Sequence, residues 1–504
     1  MHKRRPTIFH GESVSDYATL QERVSRLANA LLALGLRRGD RVGIVSDCEP
    51  RGLESLFGPL RAGMVIVPMN PRLHPAEHAY ILRDCDVRAL ICGSAYLDGL
   101  LGVRDKLPDG IRMLAFDTAS DRGDDVYDYD TMLARAGANC ADADIDGGDL
   151  AWLFYTSGTT GHPKGAMLSH RNLLTMMTTH LIECNPITPE DRFAYMAPLS
   201  HSSGLATFQF VARGAGHVFP DFRGFQTQRF YRLVERYRVT TTYMVPTMIQ
   251  MLLEDPSHRE FDISSLRNVM YGGSPMYVEP LRKAVETFGP IFVQGYAQGE
   301  APRSLTWLPR EDHVVREGAD ARRLASCGRE CLHTEIRIVD DHDRPVAPGT
   351  CGEVIVRSDV VMSGYWNNPD ASAEALRGGW LHTGDVGYMD EDGYLYLTDR
   401  KKDVIITGGS NVYPREIEEV LYRHQAVQAA SVFGVPDPKW IERIVAAVVV
   451  KADANVTANE LIQWCRDHIG SFKKPSEVHF VTSLPTNGYG KVLKRELRSL
   501  LMPK

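Results

Sequence analysis

Residues 155–165 read YTSGTTGHPKG, a stretch that sets three glycines, four aliphatic hydroxyls and one lysine between two apolar runs. Glycine lets another group approach backbone N–H groups closely. Successive turned N–H groups form an anion-sized concavity. The hydroxyls of Thr156, Ser157, Thr159 and Thr160 and the Lys164 ammonium add directed donors to it, with Gly158 and Gly161 between them. Polyphosphate is the ligand this chemistry suits. A plain surface loop rich in Gly, Ser and Thr is the alternative, but such a loop does not need Pro163-Lys164-Gly165 to close it. A Walker loop is excluded, because that pattern ends in Gly-Lys-Ser/Thr and leads straight into a helix. Here Lys164 precedes Gly165 and an apolar, strand-like step.

The elements around this loop alternate. SDYATLQERVSRLANALLALG carries Leu20, Val24, Leu27, Leu31 and Leu34 along one stripe, which predicts a helix capped by Ser13 or Ser15 and stopped by Gly35. RVGIVS and MVIVPMN read as buried strands separated by a helix over PRGLESLFGPLRAG; the helix PAEHAYILRDC then leads to the strand RALICG. Strand and helix at this spacing predict an α/β fold, a mainly parallel sheet covered by helices, running to about residue 310. From about 325 the texture changes to short strands and tight turns (TEIRIVDDHDRPVAPGTCGEVIVRS, DEDGYLYLTDR), a small antiparallel, barrel-like β subdomain spanning 325–400. After RKKD the alternation resumes on a smaller scale: a helix at 414–423, strands near 427–434 and 444–451, and a helix opening with the capping box Thr457/Glu460. These changes divide the chain into a large N-terminal domain (1–400) and a small α+β C-terminal domain (403–504), joined at 401–402.

Composition narrows the function. At 504 residues the chain exceeds the roughly 250–300 residues at which one core stops growing. A formal charge of −7 argues against a nucleic-acid partner. The basic HKRRP start lacks a following apolar h-region, and the longest apolar run, IVAAVVV, is too short to span a bilayer. Nine cysteines with no CxxC pair read as reduced thiols of a cytoplasmic protein.

Taken together, the motifs resemble those of the adenylate-forming superfamily, specifically its acyl-CoA synthetases, over nearly the whole chain and in the expected order. YTSGTTGHPKG resembles that family's phosphate loop, PLSHSSG its histidine segment, YGGSP its adenine-side turn and QGYAQGE its aromatic–acid motif. GWLHTGD resembles its ribose-binding aspartate motif, DRKKDVIITGGSNVYPREIE its hinge and thiol tunnel, and PTNGYGKVLK its terminal lysine motif. The resemblance implies two steps: a carboxylate attacks the ATP α-phosphate to give acyl-AMP and pyrophosphate, and coenzyme A then displaces AMP. It assigns catalytic roles to Lys491, which bridges carboxylate and α-phosphate, to Lys164 and to Glu300, with His201 at the mouth of the acyl pocket and not as a base. It assigns magnesium to Thr156 and Glu300. Nucleotide contacts fall to Gly272, Gly273, Ser274, Gln294, Gly295 and Tyr296, with Asp385 and Arg400 on the ribose. Lys402 becomes the hinge of a mobile C-terminal domain, and Gly408, Gly409 and Trp440 line the pantetheine path.

Three departures stand out. Gly299 replaces the family's usual Thr and removes a hydroxyl, a loss of about 0.5–1.5 kcal/mol that tunes activity. Ser200 stands where an aromatic is common, and Ile441 where Gly is common. The segments 201–211, 243–248 and 295–303 line the acyl pocket and suggest a mainly apolar acid, fatty or aromatic. An enzyme loading a carrier-protein thiol, or a nucleotide-binding relative without catalysis, are the alternatives. A homodimer is compatible with the chain.

Overall fold

Leu150–Thr156 is apolar on both faces, as a strand covered by helices on each side must be. The computed structural model describes residues 5–118, 125–156, 163–184, 186–274, 276–313, 320–407, 410–486 and 492–502. This strand is the sixth of a seven-stranded sheet, parallel from Val126–Asp128 through Arg41–Val45 to Leu150–Thr156. Lys164–Ser169 closes the edge by turning back antiparallel. A nine-stranded sheet has a parallel centre between Pro6–His10 and Phe292–Gln298 and antiparallel edges. Ser13–Asp16 forms one of those edges, and its last residue, Asp16, directly precedes the first helix, Tyr17–Ala33, and caps it, while Ser13 and Ser15 lie earlier in the strand. The Asp16 side chain accepts from the Thr19 N–H at 2.8 Å.

Residues 334–400 form a four-stranded antiparallel sheet, Thr334–Val339, Gly352–Ser358, Leu381–Met389 and Leu395–Arg400. Its inner face shares one core with the two larger sheets, in which Trp152, Tyr296, Ile336, Val354 and Leu395 pack together. The chain after 404 builds its own core from Ile405, Ile417, Val432, Ala446 and Cys465. The strands there are Ile405–Thr407, Ser410–Val412, Val427–Asp437, Ile441–Val450 and Glu477–Phe480. Thr457 caps the helix Ala458–His468 with Glu460 in the expected reciprocal box. Polar contacts join the two parts: Tyr277 Oη donates to Glu418 at 2.8 Å, and Arg415 donates to the carbonyls of Leu397 and Met276 at 2.9 and 3.2 Å.

Candidate active site

The strands on either side of residues 157–162 pair in a register that places Thr156 directly opposite Lys164. From the adjacent sheet, Glu300 follows the strand Phe292–Gln298 and reaches across: Thr156 Oγ1 donates to Glu300 Oε1 at 3.1 Å. A second donor comes from Tyr365, whose Oη lies 2.8 Å from the same oxygen and whose ring carries the Lys164 Nζ at 5.1 Å. Backbone bonds fix Tyr365 there. Trp366 N–H donates to the Gly165 carbonyl and Met362 N–H to the Glu300 carbonyl, each at 2.8 Å. Burial, then the Glu300 charge, raises the Tyr365 pKa, so Tyr365 remains a donor.

A second polar cluster sits where Leu381–Met389 pairs with Leu395–Arg400, with Asp385 opposite Arg400. Arg400 Nε lies 2.6 Å from Asp385 Oδ1, while Tyr296 Oη and Gln298 Nε2 donate to Oδ2 at 2.7 and 2.6 Å. Asp385 is 6 % exposed. Burial works against the Arg400 charge, but Asp385, Tyr296 and Glu300 outweigh it and its pKa is raised. A carboxylate so oriented in advance of any ligand is an acceptor with its geometry already settled.

Between the clusters runs the turn after Asn268–Gly272. A Cβ on Gly272 would stand 2.4 Å from the Gly295 carbonyl oxygen, and Gly273 takes φ +81°, so both positions require glycine. Ser274 follows them. Gln294 lies elsewhere than a nucleotide contact requires: its side chain is buried, accepting from Tyr271 Oη at 3.1 Å and facing Cys327 Sγ.

Gly299 has a different meaning from the one its residue type suggests. A Cβ there would meet Thr156 Cγ2 at 2.4 Å and the Phe154 ring at 2.7 Å. The glycine lets two strands close on one another, so the missing hydroxyl is the consequence of a tight approach. His201 Nδ1 lies 2.9 Å from Ser200 Oγ, and its ring meets the Phe154 edge at 5.1 Å between centroids. Desolvation pushes its pKa down to about 3, so it is a neutral wall of the pocket.

These groups open into one cleft of about 1020 Å³. Thr156, Lys164, Glu300, Tyr365 and Arg400 line one end and His201, Leu205, Tyr243 and Met248 the other. Gly273, Gly295, Lys402 and, from the C-terminal part, Thr486 also face it. Thr486 bridges to Val492. Lys491, Ser157, Gly158, Thr159, Thr160, Gly161, Gly408 and Gly409 lie outside the described residues. Trp440 is 49 % exposed on the C-terminal sheet with Lys439 Nζ over its ring, and the structure does not bring it into the cleft. Its neighbour Ile441 holds φ +75°, a conformation natural to the glycine this position often has. Gln298 and Tyr365 were not singled out from the sequence, although Gln298 stands inside the QGYAQGE string.

Two family models match the chain: AMP-binding enzyme over residues 1–366 and AMP-binding enzyme C-terminal domain over 416–491. A feruloyl-CoA synthase of Amycolatopsis sp is 37% identical over 503 residues, covering 99% of this chain and 96% of that protein. A medium/long-chain-fatty-acid–CoA ligase of Mycobacterium tuberculosis is 33% identical over 520 residues, covering 99% and 88%. Among solved structures, the amide bond synthetase of Marinactinospora thermotolerans superposes with a TM-score of 0.90 at 30% identity, covering 99% of this chain and 98% of that one.

Proposed function

The chain belongs to the AMP-binding enzyme family as an AMP-forming acid–thiol ligase that uses ATP and CoA, and from that premise we propose how its residues divide the work. The observation that carries the proposal is the single cleft that Gln298 and Arg400, the partners of a pre-oriented Asp385, line together with the Glu300–Thr156–Tyr365 cluster and the apolar Leu205 and Met248.

Asp385 accepts the ribose hydroxyls, braced by Arg400, Tyr296 and Gln298, and the purine lies against the Gly272–Gly273 turn. The loop 156–164 holds the phosphates, with Lys164 supplying charge. Glu300 and Thr156 offer hard oxygen donors that would hold a magnesium ion, which would supply charge neutralisation at the phosphates. The acid lies along Leu205, Tyr243 and Met248, its carboxylate oxygen attacks the α-phosphorus, and the bond to the β-phosphate oxygen breaks as pyrophosphate leaves. Carboxylate and triphosphate repel, so a cation is needed between them. Lys491 supplies it from the segment that follows Thr486, a residue already in the cleft wall.

In the second step the thiolate attacks the acyl carbonyl and AMP departs. The present arrangement, with Thr486 in the cleft and Trp440 outside it, suits the first step. We assign the second to a rotation of residues 403–504 about Lys402 that brings Gly408, Gly409 and Trp440 to the cleft. The nine cysteines are free thiols, which supports a reducing, cytoplasmic setting.

The test is pyrophosphate release from ATP and magnesium over a panel of fatty and arylalkanoic acids, with and without CoA. Sustained turnover that requires CoA supports the ligase reading. Release that halts near one equivalent despite CoA points instead to a carrier-protein thiol or another acceptor.

A further inference from the structure

The cleft wall contains a charge that the adenylation chemistry does not use. Arg303 is 5 % exposed and faces the cleft, yet it makes no ion pair among the described residues. Its Nη1 donates to the Ser202 carbonyl at 2.9 Å, its Nη2 rests 3.6 Å from Met270 Sδ, and its guanidinium lies 5.4 Å from the Tyr243 ring centroid. Its Nε–H is buried with no partner. Two further buried polar groups near it are in the same condition. The Trp307 indole N–H, on a side chain that also lines the cleft, and His180 Nδ1 are both buried and unpaired. The His180 and Trp307 rings are 5.4 Å apart. Burial lowers the His180 pKa, and the Arg303 charge lowers it further, so neither group can neutralise the other.

The backbone holds Arg303 in place deliberately. The ladder between Phe292–Gln298 and Ala301–Leu308 pairs Tyr296 with Thr306, then Gln298 with Ala301, so the second strand bulges between these pairs. Arg303 sits in that bulge at φ +57°, a left-handed conformation that a residue with a long side chain adopts only when its surroundings impose it. Bulges and such backbone strain recur where a side chain must be aimed at a ligand. A lone buried guanidinium with an unmet N–H is costly in the empty protein. A ligand that supplies acceptor oxygens removes that cost.

Building on the ligase reading above, we propose that the acyl pocket is closed by an oxygen-binding subsite formed by Arg303 and the Trp307 N–H, and that the preferred substrates are carboxylic acids carrying a second acceptor oxygen, foremost a second carboxylate, at the end remote from the reacting carboxyl. Arg303 is three residues beyond Glu300, so their Cα atoms are separated by no more than roughly 10 Å. Acids of medium length or with one ring match that span. Arg is suited to the task because its planar fork grips carboxylate in two places and stays charged.

The experiment compares matched pairs of acids by CoA-dependent turnover: heptanoate against heptanedioate, and 3-phenylpropanoate against 3-(4-hydroxyphenyl)propanoate. The wild type is expected to favour the oxygenated member of at least one pair by about tenfold or more in kcat/KM. The first pair reports on an anionic acceptor and the second on a neutral one. Arg303→Met should reverse the order through KM, and Arg303→Lys should restore part of it. A wild-type preference for the unsubstituted member of both pairs overturns the proposal, as does an order that Arg303→Met leaves intact. Should that variant not fold, the wild-type order decides alone. Melting temperature of the protein with each acid gives the same ordering without turnover. Failure of the ligase reading, seen as no turnover with any acid, is thereby separated from failure of the subsite, seen as no difference within the pairs.

Discussion

The two ends of the cleft treat charge in opposite ways. At the nucleotide end Asp385 already holds Arg400, Tyr296 and Gln298, and Glu300 already accepts from Thr156 and Tyr365. At the acyl end Arg303 has a carbonyl, a thioether and a ring for company, and no carboxylate. The first arrangement is that of a site whose ligand has a fixed shape, where geometry set in advance lowers the reorganisation needed on binding. The second is that of a site completed by its ligand, where the free protein bears the cost. Pairing therefore separates a half of the cleft prepared before its ligand arrives from a half that its ligand completes.

Breaking the paired end should have the largest effect. Asp385→Ala removes two charge-assisted hydrogen bonds to ribose, each worth about 1.5–3 kcal/mol, so kcat/KM for ATP should fall on the order of 10²- to 10⁴-fold. The variant also takes the Asp385 acceptor from Tyr296 Oη and from Gln298 Nε2, which keeps only the Thr383 carbonyl at 2.9 Å. Pyrophosphate release at varied ATP measures it, and a loss confined below tenfold would remove Asp385 from the nucleotide site.

At the unpaired end the same kind of deletion should act in the other direction on stability. Replacing Arg303 by Met discards a buried charge that has no counter-ion and keeps a side chain of similar reach, so the ligand-free protein should gain about 1–3 kcal/mol. Chemical denaturation of the free enzyme reads this directly. A destabilised Arg303→Met would mean that the contacts to Ser202 and Met270 outweigh the charge, and the contrast between the two ends would be lost.

Gly299 lies between them and tests the geometry of the join. Restoring the hydroxyl with Gly299→Thr should impair the enzyme, because the new Cβ enters the space of Thr156 Cγ2 and the Phe154 ring. Overpacking of this kind costs about 1–3 kcal/mol and displaces Thr156 from Glu300. Increased pyrophosphate release in that variant would show that the missing hydroxyl, and not the close approach, governs this position.

What was legible in the sequence follows the same division. Asp385, Arg400, Tyr296 and Glu300 stand in long strings that resemble those of the adenylate-forming family, and the structure brings their side chains together. Arg303 could not be read this way. In APRSLTWL it is an ordinary strand arginine, and only the register slip between the Tyr296–Thr306 and Gln298–Ala301 pairs makes it a buried, aimed cation. Gly299 shows a related limit: a comparison of residue types shows the lost hydroxyl but not the neighbours 2.4–2.7 Å from an absent Cβ. Gln294 looked like part of the site because it adjoins Gly295 and Tyr296. It shares a strand face with Tyr296 and Gln298 but lies further back along the strand, where Tyr271 and Cys327 surround its side chain. The helices and strands themselves were plain, since their apolar periods are strong. The cap at Asp16 was missed because Ser13–Asp16 is a strand edge that so short a sequence does not signal.

His201 stands at the boundary of the two ends and carries the smallest expected effect. Its ring is pressed against Phe154 and its pKa lies near 3 because desolvation disfavours the cation. A neutral wall residue contributes shape, so His201→Gln should alter the KM for the acid by less than about tenfold and leave the shape of the pH–rate profile unchanged between pH 5.5 and 8. The linkage has a definite sign. Unfolded, His201 protonates at its ordinary value near 6.5; folded, it resists protonation until about 3. Between those values the unfolded chain binds more protons, so the stabilisation present above pH 6.5 is lost as the pH falls. His201→Gln removes that penalty, and its stability relative to wild type should rise steadily as the pH is lowered from 6.5 toward 4. An inflection near 6.5 in the wild-type rate that vanishes in the variant would instead make His201 an acid or base of the reaction, and would shift the boundary between the two ends from Phe154 to the histidine itself.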